Sequence, residues 1–167
     1  MDLKEAQLKF IHSWGTLGAS WGINKVMGQI HALLLIAPDA LTTDDIMDTL
    51  KISRGNANMN IRALIGWGIV HKVYVPGSRK EYFTSEKDIL ELARQVSIER
   101  RKREIEPLLK LLNDVQNVES DDKKALKEFK TMTKDILSFS SSVDKGLQKF
   151  IQSEKSWFFN RLMKMLT

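Results

Sequence analysis

The sequence predicts a mainly α-helical protein with a small β wing, built around a winged helix-turn-helix. Three observations predict it. Apolar residues recur at helical spacing from residue 3 to 36 and again from 88 onward. Between these stretches, residues 42 to 65 read as two short capped helices separated by a tight turn. A β-branched and aromatic stretch with a Pro76-Gly77 turn then follows.

The first helix is expected over Leu3 to Trp14, with Ala6, Leu8, Phe10 and Ile11 loosely on one side. The patch GTLGASWG holds Gly15, Gly18 and Gly22, each costing a helix about 1 kcal/mol relative to alanine. It reads either as a break or as a place of close helix contact. A second helix, Ala19 to Ile36, carries Ile23, Val26, Met27, Ile30, Leu33 and Leu34 and ends before Pro38.

Thr42 is a good N-cap, with Asp44 and Asp45 in the first turn after it. That helix turns Ile46, Met47 and Leu50 inward, and Lys51 and Ile52 make the turn. Ser53 caps the next helix, which runs to about Ile65 and stops at Gly66 and Gly68. Ile69 to Val75 and Arg79 to Thr84 form the two strands of the wing. From Asp88 to about Val118 the chain is helical again, and Pro107 either kinks that helix or starts a new one after Glu106. Ser120 caps a helix to about Phe139, the run SFSSS reads as a connection, and a last helix covers Val143 to Leu166.

Composition narrows the function. The chain has 167 residues, 43% hydrophobic and 28% charged, the balance of an ordinary soluble protein. It has no cysteine, which removes disulfides, thiolate metal sites and cysteine nucleophiles. The longest apolar run, Ala32 to Ala37, falls far short of the roughly 20 residues that span a bilayer. A cytoplasmic protein with no stable membrane association is expected. His12, His31 and His71 sit in no metal-type spacing, and no nucleophile–base pair or phosphate loop is present, so no cofactor, metal or catalysis is expected.

Charge points to a partner. Residues 51 to 83 hold Lys51, Arg54, Arg62, Lys72, Arg79 and Lys80 against Glu81 alone, a net of +5 that equals the net charge of the whole chain. A compact basic surface on a two-helix-plus-wing pattern points to double-stranded DNA. On a helical wheel, Ala57, Ile61, Leu64 and Ile65 form the inner face of the second helix. Gly55, Asn56, Met59, Arg62 and Ala63 lie opposite, with Asn58 and Asn60 on the flanks. Asparagine can pair with adenine and methionine can touch a thymine methyl, so Asn56 and Met59 are the expected base contacts, with Asn60 behind them. Ser53 and the free amides above it make an anion site, flanked by Arg62 and Lys72. Arg54 lies nearer the inner face but can reach a phosphate, and Arg79 and Lys80 occupy the wing tip. The alternative is a winged-helix adaptor that binds a protein partner and leaves these charges solvated.

The segments GTLGASWGINKVMGQIHALLLIAP, LTTDDIMDTLKISRGNANMNIRALIGWGIV and PGSRKEYFTSEKD resemble the MarR-type winged-helix regulators. Within them they look like the GbsR-like branch, associated with control of glycine betaine and choline metabolism. ERRKREIEPLL at 99 to 109 is also similar to that branch, while after about Leu112 only the helical pattern is shared. The resemblance implies a homodimeric transcriptional regulator, a repressor or activator, on a roughly palindromic operator. It carries Ser53, Arg54, Asn58, Arg62, Arg79 and Lys80 over as DNA contacts. A small-molecule effector of the choline type needs an aromatic cage, for which Trp14, Trp21 and Trp67 are the candidates.

The expected organisation is N-terminal helices at 1–38, a winged helix-turn-helix DNA-binding domain at 39–87, and a helical dimerisation region at 88–167. ERRKRE at 99–104 reads as a solvated or intersubunit ion-pair face, or as a second phosphate patch. The segment KSWFFNRLMKML is apolar with interspersed cations and suits burial against a second subunit better than a membrane surface.

Overall fold

The structure, a computed structural model, describes residues 1–153. The expected apolar segment KSWFFNRLMKML lies outside the described residues. The chain divides into two compact units, Met1–Leu92 and a second beginning at Ala93.

Asp2 caps α1 (Leu3–Ser20), its carboxylate accepting from the Glu5 amide at 2.8 Å. The helix runs through Gly15 and Gly18, so this part of the glycine patch is a contact and not a break. A Cβ on Gly15 would lie 2.5 Å from Cγ of Gln29 and 2.8 Å from the carbonyl oxygen of Lys25. One on Gly28 would lie 3.0 Å from Cα of Gly15. The two backbones are too close for side chains between them. The break comes later, where Gly22 takes a φ of 78° and Asn24 caps α2 (Lys25–Ile36) through the Val26 and Met27 amides. The expected start at Ala19 is therefore corrected to Lys25. At the other end of α2, Nζ of Lys87 donates to the carbonyls of Leu34, Leu35 and Ala37 at 2.7, 2.7 and 3.0 Å. A cation on the last carbonyls suits the negative end of the helix.

The strand β1 (Leu41–Thr42) leads into α3 (Thr43–Leu50), and α4 (Arg54–Gly66) follows after a three-residue turn. The wing is β2 (Val70–Val73) and β3 (Tyr82–Ser85). The sheet order is β1-β3-β2, all antiparallel, with Leu41 opposite Phe83 and Lys72 opposite Phe83 on its other side. The third strand, β1, is not legible in the sequence, because two residues carry no alternation to read. Gly77 supplies the left-handed φ of 80° at the wing turn, and the Ser78 amide closes it on the Val75 carbonyl. Ile30, Leu34, Ile46, Leu64 and Val70 are fully buried and, with Ile61, Ile69 and Phe83, make the core of this unit.

Asp88 caps α5 (Ile89–Arg100) by accepting from the Leu90 and Glu91 amides, both at 3.0 Å. Five residues, Arg101–Ile105, form a wide π-helical turn before α6 (Glu106–Asp114). Pro107 sits in the first turn of α6, where its missing N–H is least costly. The wide turn absorbs the clash a proline makes with the carbonyl four residues back. A short 3₁₀ turn, Val115–Asn117, closes α6.

The end of the described chain corrects the sequence reading. There is one helix, α7 (Lys123–Gln152), where two helices and a connection were expected, and Asp122, not Ser120, caps it. SFSSS lies within this helix, with the Ser142 hydroxyl donating to the Ser138 carbonyl at 3.0 Å. Ser140 and Asp144 are buried. Among the described residues, no helix is long and apolar enough to cross a membrane.

Candidate nucleic-acid interface

The helix-turn-helix is set by its caps. The Thr42 hydroxyl accepts from the Asp45 amide at 3.2 Å, and the Asp45 carboxylate accepts from the Thr42 amide at 2.8 Å. This reciprocal box starts α3 and holds the Asp45 carboxyl below its usual range, chiefly through the side-chain hydrogen bond from Thr42. Lys51 ends α3 in the left-handed region at φ 54°. Ser53 then caps α4, accepting from the Asn56 amide at 3.3 Å.

Along α4, Ala57, Ile61 and Leu64 are buried, as the wheel requires. Arg54, Gly55, Met59 and Arg62 are exposed, Met59 to 59%. Asn56 and Asn58 are half-buried. Asn58 turns toward α3, its Oδ1 accepting from the Thr43 hydroxyl at 3.5 Å. Asn60 needs correction as a base contact. It is 3% exposed, and its Nδ2 donates to the carbonyl and Oδ1 of Asn56 at 2.8 and 2.7 Å. It positions Asn56 instead of reaching outward. Packing explains this: α4 is covered by α2, α3 and β2, so its buried arc is wider than one apolar stripe.

The basic residues do not act as six loose charges. Arg54, at the start of α4, hydrogen-bonds to Oδ1 of Asp44, and Lys80 of the wing lies 3.5 Å from Oδ2 of the same carboxylate. Asp44 thus joins the N-terminus of α4 to the wing. Its carboxyl is held below the usual range, mainly by the Arg54 hydrogen bond. Sequence reasoning gave Asp44 only a dipole role; nothing local signals a partner 36 residues away. Lys72 pairs with Glu81 across the hairpin. His71 lies 3.7 Å from Glu86. Among the described residues, Arg62 and Arg79 have no ion-pair partner and are exposed.

The three tryptophans take three environments and do not share an open cage. Trp14 is half-buried and donates from Nε1 to Nδ1 of His31 at 3.2 Å. Trp67, which ends α4, is 8% exposed. Only Trp21, at the end of α1, offers its ring to solvent, at 55%. His31 is 6% exposed, and burial, with a smaller contribution from Lys87, lowers its pKa to about 4. Accepting at Nδ1 leaves its proton on Nε2, which has no hydrogen-bond partner among the described residues.

No family model matches the chain. The HTH-type transcriptional regulator MmpR5 of Mycobacterium tuberculosis is 26% identical over 77 residues, covering 46% of this chain and 47% of that protein. The chain thus matches about half the length of that curated relative. The crystal structure of a transcriptional regulator superposes with a TM-score of 0.61 at 20% identity, covering 89% of this chain and 99% of the other. The adhesin competence repressor AdcR of Streptococcus pyogenes, also 20% identical over 82% of this chain and 98% of its own, overlays only loosely, with a TM-score of 0.35. The fold is therefore mainly α with a small three-stranded sheet, shared over nearly its whole length with a solved transcriptional regulator.

Proposed function

We propose that the protein is a sequence-specific double-stranded DNA-binding transcriptional regulator, acting as a homodimer and as a repressor. The observation that carries the reading is the convergence at Asp44. One carboxylate holds Arg54 at the start of α4 and Lys80 on the wing, so these two basic elements form one surface. The exposed residues of that helix include Met59 and Arg62, and Arg79 extends the wing. A capped helix offering polar and apolar tips, flanked by cations, suits a major groove with the wing on the neighbouring backbone. The match to MmpR5 and the resemblance to MarR-type regulators of the GbsR-like branch support the same reading. A small-molecule effector belongs to this reading as a modulator of the spacing between the two α4 helices, but not through a cage of Trp14, Trp21 and Trp67.

The test is a binding titration on duplex DNA from the protein's own promoter region at several salt concentrations, with Arg62→Ala plus Arg79→Ala as comparison. Binding of the wild type should fall steeply with salt, and the double variant should show a log–log slope flatter by about 1 per lost phosphate contact. Equal affinity of the double variant at moderate salt would sink the site assignment. Absence of DNA binding, with capture of a protein through the same face, would favour the adaptor instead.

A further inference from the structure

One face of α7 lies open. Phe129, Met132, Ile136, Phe139 and Val143 are 43, 53, 41, 71 and 43% exposed. Their spacing alternates three and four residues, which is the period of a seam between two paired helices. A different row, with Leu126, Thr133, Leu137, Ser140, Asp144 and Leu147, is buried or half-buried. The open row is therefore a second apolar face, additional to the one the unit already uses.

The open row continues through Gly146 to the half-buried Phe150. Among the described residues, a Cβ on Gly146 would meet nothing within 4 Å, so their packing does not require a glycine there. In mid-helix, glycine costs stability relative to alanine. Its missing side chain leaves a shallow groove lined by Val143, Gly146, Leu147 and Phe150.

A second α7 fits this face when it runs antiparallel, about a two-fold between Leu137 and Ser138. The facing layers are then Phe129 with Gly146, Met132 with Val143, Ile136 with Phe139, and Ala125 with Phe150. Each outer layer sets a phenylalanine against a small residue, and one of them drops Phe129 into the groove over Gly146. On the flanks, Glu128 faces Lys149 and Leu126 faces Leu147. A parallel pair in register would instead set Phe139 on Phe139 and Gly146 on Gly146, giving crowding and a void, and would face Glu128 with Thr133 in place of Lys149.

We infer that two copies of this chain meet through this face, as an antiparallel pair of α7 helices with Phe129 of one copy over Gly146 of the other. The inference rests on the dimer in the proposed function and names its surface and register.

The absence of cysteine in the chain makes the register directly testable. Glu128→Cys and Lys149→Cys are prepared separately, then treated with a short bis-maleimide alone and as a mixture. Cross-linked dimer is expected in the mixture and not in either variant alone. Cross-linking of each variant alone, with none specific to the mixture, overturns the antiparallel register. Gly146→Leu fills the groove without removing any contact among the described residues. Its dimer dissociation constant by sedimentation should rise at least 100-fold, with helix content by circular dichroism unchanged. A wild-type dimer matched by an equally tight Gly146→Leu dimer overturns the seam and leaves the dimer standing. A monomeric wild type overturns both.

Discussion

Asn60 is buried in α4 and holds the side chain of Asn56, one turn earlier, by donating to its Oδ1 at 2.7 Å. The same Nδ2 donates to the Asn56 carbonyl at 2.8 Å, a group that can only accept, so the orientation of the Asn60 amide is fixed. The bond from Asn60 takes one lone pair of Asn56 Oδ1 and turns that oxygen toward the buried side, so Nδ2 is the group better placed to donate outward. Such an asparagine favours acceptor edges, guanine O6/N7 or thymine O4, over the paired donor and acceptor of adenine. Asn60→Ala should destabilise the protein by about 1 kcal/mol through its lost buried hydrogen bonds. It should also relax base preference at one position per half-site, by up to about 1–3 kcal/mol. Selection from a random duplex library measures this, and an unchanged consensus would show that Asn56 does not read a base.

The clamp on Asp44 sets up an opposite outcome, in which removing a charge improves binding. Arg54 and Lys80 both contact this carboxylate, which also repels any phosphate approaching the start of α4. Asp44→Asn should release both cations and tighten DNA binding about fivefold at low salt. The salt dependence should steepen at the same time, because more counterions are displaced. The cost is the loss of a first-turn carboxylate that suits the positive end of α3. Anisotropy titrations across salt concentrations check both signs, and weaker binding by the variant would contradict this arrangement.

What the sequence shows and what it hides follow from the range of the forces involved. Thr42, Ser53 and Pro76-Gly77 act within a few residues, so the helix-turn-helix and the wing turn are legible one position at a time. Met59 and Arg62 follow from helical period alone and are exposed as expected. Asn60 does not, because three neighbouring elements widen the buried arc of α4. Gly15 carries a helix penalty that close contact with α2 explains, and the sequence alone leaves a break and a contact equally open there. The serines of α7 look like a linker until Ser140 and Asp144 are seen to be buried. The Asp44 clamp joins residues far apart in sequence, and no local pattern announces it.

Arg101 and Asp144 supply the long-range contact at that misread serine run. The guanidinium donates from Nε to Oδ1 at 2.6 Å and from Nη2 to Oδ2 at 3.1 Å, and Arg101 also pairs with Glu106. Its guanidinium pKa is raised, first by the hydrogen bond to Asp144. Arg101→Ala would leave the buried carboxylate of Asp144 without this partner and should cost about 3 kcal/mol, the low end for breaking a buried pair because Arg101 is 24% exposed. Arg101→Met with Asp144→Leu should recover most of that loss, since the desolvation cost of both charges disappears. Urea unfolding of the two variants decides it. If the double variant is no more stable than Arg101→Ala, the pair is not the source of the loss.

His31 should make the protein acid-sensitive with a defined sign. Its pKa is lowered to about 4 in the folded chain from the ordinary histidine value of 6.5, and burial is the main cause. Between these values the unfolded chain binds a proton that the folded chain refuses, so stability falls as the pH drops. The contribution is complete above 6.5, shrinks through the interval and levels off below about 4. The difference between 6.5 and about 4 corresponds to roughly 3 kcal/mol. Protonation would also place a second N–H at Nδ1, against the Trp14 Nε1–H that this atom now accepts at 3.2 Å. His31→Asn can keep an acceptor toward Trp14 and cannot titrate. The difference in unfolding free energy between wild type and His31→Asn should therefore change with pH between 6.5 and 4 and be flat above 7. Parallel stability curves across that whole range would mean that His31 takes up its proton without resistance from the fold.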